Sequence, residues 1–119
     1  MNENFQNNLT DRFFNFSLQC FNLISKIPNK KEYEVIKYQL SKSATSIGAN
    51  YEESQSTTKK EFSQKIRISV REALESRYWL KIIYALELSD KELNANLLVE
   101  VNEIIKILRA VLKKTSTDF

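Results

Sequence analysis

With 119 residues the chain has room for one hydrophobic core, and 42% hydrophobic with 28% charged residues place it among globular proteins rather than disordered or fibrous ones. A formal charge of +3 with no histidine removes the usual general acid–base residue near neutral pH, and with it most zinc sites. One glycine, Gly48, and one proline, Pro28, leave almost nothing to make tight turns, which points to long helices.

Thr10 is the expected N-cap of a first helix over residues 11–27, with Phe13, Ser17, Cys20, Phe21, Ile24 and Ile27 on one face; Pro28 and Asn29 end it. A second helix is expected over 30–54, its stripe formed by Tyr33, Ile36, Leu40, Ala44, Ile47 and Tyr51. Gly48 falls inside that helix, where it costs about 1 kcal/mol relative to Ala, so a close helix approach or a kink is expected there. Thr58 with Glu61 three residues on forms a capping box for a third helix over 59–87, about 43 Å long, with Phe62, Ile66, Val70, Ala73, Leu80 and Tyr84 facing the core. Ser89 with Glu92 repeats the signature for a fourth helix over 90–114, through Leu93, Leu97, Val101, Ile104, Leu108 and Val111, and Thr115 to Phe119 are expected to fray. Four amphipathic helices with short connections define one all-α domain over 1–119, an antiparallel up-down-up-down four-helix bundle.

No apolar run approaches the ~20 residues of a membrane span, because Lys81 and Glu87 bracket the most hydrophobic window, Ile82 to Leu86. Met1 to Thr10 is rich in Asn and lacks the basic start and apolar stretch of a secretion signal. Cys20 is the single cysteine and reads as a small core residue. Together these favour a cytoplasmic protein without a membrane partner.

Ile68, Trp79, Ile83 and Leu86 lie off the core stripe of the third helix, within a sector of roughly 60°. Its C-terminal half is then apolar nearly all round, which points to a homo-oligomer interface. The alternative is that Trp79 and Leu86 are covered by the N-terminal segment holding Phe5 and Leu9. Charge is concentrated on the same helix: residues 56–88 carry seven basic and four acidic groups, whereas 1–28, 29–55 and 89–119 each balance. Lys60, Arg67 and Arg71 fall within about 40° of one another on the wheel, with Gln64 and Tyr78 extending the row. Such a row can track the phosphates of RNA or DNA, each basic side chain neutralising one. The competing reading is a solvated face, because Glu72 and Glu75 lie beside the arginines. No RGG, zinc-knuckle or helix-turn-helix pattern supports base reading, so contact would be to backbone and shape.

No catalytic residue, metal site or cofactor is expected. A di-iron bundle needs Glu-x-x-His on two helices, Cys20 has no histidine to activate it, and no glycine-rich loop can cradle a nucleotide. Glu72 and Glu75 could hold a hard cation but read more simply as salt-bridge partners.

Ala44-Thr45-Ser46-Ile47-Gly48-Ala49-Asn50, then Glu53, Lys59-Lys60-Glu61-Phe62, and Arg71-Glu72-Ala73 followed by Glu75, Ser76, Arg77, Tyr78, Trp79 and Leu80 run in an order and spacing that resembles the four-helix-bundle proteins encoded in intervening sequences of bacterial 23S ribosomal RNA genes. The resemblance implies a small bacterial bundle protein that assembles as a ring, typically a pentamer. It extends to the accessory variability proteins of diversity-generating retroelements, whose basic ring engages a reverse transcriptase and nucleic acid. Asn50, Glu53, Glu72, Glu75, Tyr78 and Trp79 match the family's helix signatures, which implies structural roles: Asn50 bonding across the turn, and Glu53 or Glu75 pairing with a basic side chain of a neighbouring helix. The family's Asn-x-x-Glu-Gly step stands here as Asn50-Tyr51-Glu52-Glu53-Ser54, with Ser54 in place of glycine. Three functions are then open: a non-enzymatic nucleic-acid-binding oligomer, a protein-interaction scaffold, or an enzyme with a metal held only by carboxylates.

Overall fold

The computed structural model describes residues 3–118, with side chains described for 8–115. Its elements are α1 (Glu3–Ser25), a 3-10 turn (Lys31–Tyr33), α2 (Glu34–Ser54), α3 (Lys59–Ala85) and α4 (Lys91–Asp118), with no strand among the described residues. The body measures 47 × 22 × 19 Å, the proportions of long helices lying side by side. α1 packs on α2 and α4, and α3 packs on the same two, so α1 and α3 stand diagonally.

α1 begins well before Thr10, which lies inside it. The core stripe explains the difference. Leu9, Phe13, Phe16, Cys20, Leu23 and Ile27 are buried at alternating four- and three-residue spacing, and Leu9 carries the stripe upstream of the expected start. That stripe is rotated from the expected one: Phe16 and Leu23 face the core, Ile24 is half-buried and Phe21 is exposed. Ser17 is half-buried and donates to the Ala44 carbonyl at 3.0 Å. Burial pushes the Cys20 thiol up to about 12, which keeps it protonated and unreactive at neutral pH. Phe5 lies outside the described side chains, so its part in covering Trp79 and Leu86 does as well.

In α2 the expected core residues Ile36, Leu40, Ala44, Ile47 and Tyr51 are all buried, and the Tyr51 ring meets Phe13 edge-on at 5.1 Å. Tyr33 belongs to the 3-10 turn and is only half-buried. A Cβ on Gly48 would lie 3.4 Å from Phe13 Cβ and 3.7 Å from its carbonyl carbon, so the close approach is to the α1 backbone. Those are ordinary contact distances. Gly48→Ala is therefore expected to be accommodated and to raise stability by up to about 1 kcal/mol, read as a higher thermal midpoint. α2 ends without glycine: the Ser54 hydroxyl bonds the Tyr51 carbonyl, and Gln55 and Ser56 N–H reach back three residues to Glu52 and Glu53.

α2 and α3 meet along small side chains. Ser76 Oγ donates to Ser43 Oγ at 2.8 Å and Ser69 Oγ donates to the Ile47 carbonyl at 2.9 Å, all four residues being buried. Glu53 then pairs with Lys65, so numbers fall along α3 as they rise along α2. The same descending order joins Phe13 and Ser17 to Gly48 and Ala44, Arg77 and Leu80 to Asn102 and Asn94, and Arg12 and Lys26 to Glu100 and Asp90.

The expected capping box forms, Thr58 Oγ1 accepting from Glu61 N–H and Glu61 accepting from Thr58 N–H. At the far end α3 stops at Ala85, two residues early. Leu88 N–H bonds the Ile83 carbonyl and Glu87 N–H bonds that of Tyr84, both at 3.1 Å, a Schellman turn with Glu87 at φ 52°. An L residue pays about 1–2 kcal/mol here and glycine does not. Glu87→Gly, which also gives up an exposed ion pair to Lys91 and adds chain entropy, is therefore expected to stabilise by under about 1 kcal/mol in denaturant titration. Asp90, not Ser89, caps α4: its Oδ1 accepts from Leu93 N–H at 2.9 Å, which with Lys26 nearby holds its carboxyl below the usual range. Ser89 donates instead to the Leu23 carbonyl of α1. α4 continues past 114 to Asp118, with Thr115 buried and bonded to the Val111 carbonyl, so the expected fraying at 115–118 gives way to helix.

Candidate nucleic-acid interface

α3 sorts its charges by flank. Lys60, Arg67 and Arg71 are exposed on its outer side, and no carboxylate pairs with any of them among the described residues. Arg67 is steadied by donating to Ser63 Oγ at 3.0 Å. Glu61, Glu72 and Glu75 turn toward α2 at about 100° per residue. On that flank Lys65 reaches Glu53 of α2 at 3.3 Å, and Lys42 of α2 acts on Glu72. Burial and the neighbouring Glu75 raise the Glu72 carboxyl, while Lys42 and Arg71 oppose the shift. The row expected from the sequence is thus on the surface, and its acidic neighbours lie mostly to one side.

Of the residues expected to form an oligomer interface, Ile83 is 0% exposed and belongs to the chain's own core, so it is unavailable for assembly. The core positions of α3 run Ile66, Ser69, Ala73, Ser76, Leu80, Ile83, and Tyr84, expected in the core, falls one residue off this spacing. It is 38% exposed, with Lys91 Nζ 5.7 Å above its ring. Leu86 is 57% exposed, while Ile68 and Trp79 are half-buried. Trp79 donates to Glu75 Oε1 at 3.3 Å and meets the exposed Tyr78 ring edge-on at 5.3 Å.

Among the family-motif residues, Glu53 makes the expected bond to a neighbouring helix through Lys65. Asn50 does not bridge the turn: its amide donates to the Ser46 carbonyl of its own helix at 2.8 Å. No group of three or more Cys, Asp or Glu able to hold a metal occurs among the described residues. No described helix is long and apolar enough to cross a membrane.

One apolar surface escaped the sequence reading. Phe14, Leu18 and Phe21 are 55%, 52% and 45% exposed along α1 and line an open groove against Thr45, Gly48 and Ala49 of α2, with Asp11 and Glu52 on its rim. Their four- and three-residue spacing, which places all three on one face beside the core stripe, was the available signal.

Fold and surface together define a small all-α, four-helix protein whose third helix presents basic side chains outward. The model of the 23S rRNA-intervening sequence protein family matches residues 6–110, and the chain belongs to that family. It is similar to the crystal structure of a protein of unknown function from the S23 ribosomal protein family of Bacteroides thetaiotaomicron VPI-5482, at 30% identity and a TM-score of 0.79, covering 87% of this chain and 97% of that one. No curated protein matches the chain. The link to retroelement accessory proteins is not supported by these matches.

Proposed function

We propose that the protein is a non-enzymatic bacterial oligomer, a cytoplasmic ring of up-down-up-down bundles, that holds the backbone of RNA or DNA on Lys60, Arg67 and Arg71. The observation that carries this reading is the exposure of three basic side chains in one row, unpaired by carboxylates among the described residues. Cations left without protein partners remain available to phosphates, and each phosphate neutralised releases counterions. The descending register between neighbouring helices supports the antiparallel arrangement. A pentamer, as the family resemblance implies, needs two different patches that fit each other, because an odd ring is joined head to tail. The α1 groove around Phe14, Leu18 and Phe21 and the α3 surface at Trp79 and Leu86 supply two different partly exposed apolar patches for such a joint.

The test is titration of mixed-sequence RNA and DNA at rising salt. Log affinity is expected to fall linearly with log salt concentration, and absence of binding at low salt would overturn the reading. A second reading is favoured by the apolar groove: a scaffold that holds a protein partner, such as a reverse transcriptase, with the basic row matching an acidic protein surface. Binding of such a partner with no affinity for nucleic acid would favour the scaffold.

A further inference from the structure

We infer that the C-terminal half of α4 supplies a second row of phosphate contacts, so that α3 and α4 form one two-row face for the paired backbones of a nucleic-acid duplex. This rests on the phosphate-binding reading of α3. Charge totals conceal the second row, since residues 89–119 hold five basic and five acidic side chains. Along the C-terminal half of α4 three of the basic residues share one face, while Lys114 falls beside Glu100 and Glu103. Lys106, Arg109 and Lys113 are exposed and fall within about 60° of one another at about 100° per residue. Asn102 lies within that sector and accepts from Arg77 of α3 at 3.0 Å, so the sector borders α3.

The carboxylates turn the other way. Glu100 takes two hydrogen bonds from Arg12 of α1, at 2.7 and 2.8 Å, and with Glu103 nearby raises the Arg12 guanidinium further above its usual range. Glu100 therefore lies toward α1, and Glu103 sits between it and the row, near enough to Lys106 to pair with it at 3.6 Å. α3 is sorted in the matching sense, with Glu61, Glu72 and Glu75 toward α2 and its basic row left beside α4. Positive charge from two helices thus converges on their shared face, with Glu100 and the α3 acids drawn to its outer flanks and Glu103 at its edge.

Register brings the rows level. Continuing the order set by Arg77 with Asn102 and Leu80 with Asn94 places Lys106 about level with Arg71 and Arg109 about level with Arg67. Packed helix axes lie about 8–10 Å apart. Lys and Arg side chains splayed outward from such axes widen the separation of their charged ends toward the ~12 Å of the B-form major groove. A single strand offers one line of phosphates, whereas a duplex offers two across a groove. Arg109 has no ion pair among the described residues, and Lys106 has the exposed Glu103 at 3.6 Å, a partner that a phosphate can displace at little cost.

The experiment compares full-length wild type and variants on short duplex RNA, duplex DNA and a single strand of the same sequence, with affinity measured across a salt series. Arg109→Glu with Lys113→Glu is expected to reduce the slope of log affinity against log salt on duplex DNA by about 2, at roughly 0.9 per lost contact. The effect on the single strand is expected to be smaller. Lys42→Glu, on the α2 flank, is expected to leave the slope unchanged. Helicity and mass verify each fold, and Arg109→Gln with Lys113→Gln removes the same contacts without reversing charge. If reversing Lys60, Arg67 and Arg71 weakens binding while the α4 variants match wild type at every salt, the second row is overturned and the α3 reading stands. If wild type binds none of the probes, both fall. Equal affinity and slope on duplex and single strand would overturn the two-row geometry.

Discussion

Ser76→Leu is expected to destabilise the protein by about 3 kcal/mol and to lower its thermal midpoint by roughly 10 °C. Ser76 is fully buried where α3 meets α2, with its hydroxyl 2.8 Å from that of Ser43. Two hydroxyls at that distance leave no room for a branched side chain, so the leucine must force the helices apart or leave its rotamer. Ser76→Ala is the control: it removes one hydrogen bond at a cost of about 1 kcal/mol and adds no volume. Ser43 keeps a weaker bond to the Leu40 carbonyl, at 3.4 Å, which limits that loss. Circular dichroism melts of the two variants separate crowding from hydrogen bonding, and a Ser76→Leu protein melting with wild type would show that the seam is loosely packed.

Reversing the α3 row with Lys60→Glu, Arg67→Glu and Arg71→Glu is expected to cut affinity for duplex DNA at least about tenfold and to reduce the salt slope by about 3. All three side chains are exposed, and among the described residues only Arg67 loses a hydrogen bond, the one to Ser63, so helicity and melting should change little. Retained stability with lost affinity is the combination that distinguishes a binding surface from a structural one. Equal binding by wild type and variant at every salt would remove the row from the account.

Features set by neighbours along the chain were legible in the sequence. The Thr58–Glu61 cap needs only its own four residues, and the stripe of α2 is apolar at one spacing with few competing positions. Features chosen by tertiary partners were not. Along α1, Phe13 stands next to Phe14 and Cys20 next to Phe21, so hydrophobicity alone allows either side to face inward, and packing on α2 and α4 decides between them. The same ambiguity exchanged Ile83 and Tyr84 on α3. Thr10 resembles a cap but sits mid-helix because Leu9 extends the core stripe upstream. The Ser43, Ser69 and Ser76 seam was hidden because a hydroxyl reads as surface until its partner across the interface is known. For the proposed binding surface, the α3 row was visible because its element carries a net charge. The α4 row was not, because its element sums to zero while its faces do not.

Absolute mass in solution, by light scattering behind a sizing column with and without duplex nucleic acid, tests the proposed assembly and its proposed phosphate binding most directly. A mass near five chains that rises when duplex is added is the expected result. A plain monomer whose mass is unmoved by duplex would contradict it.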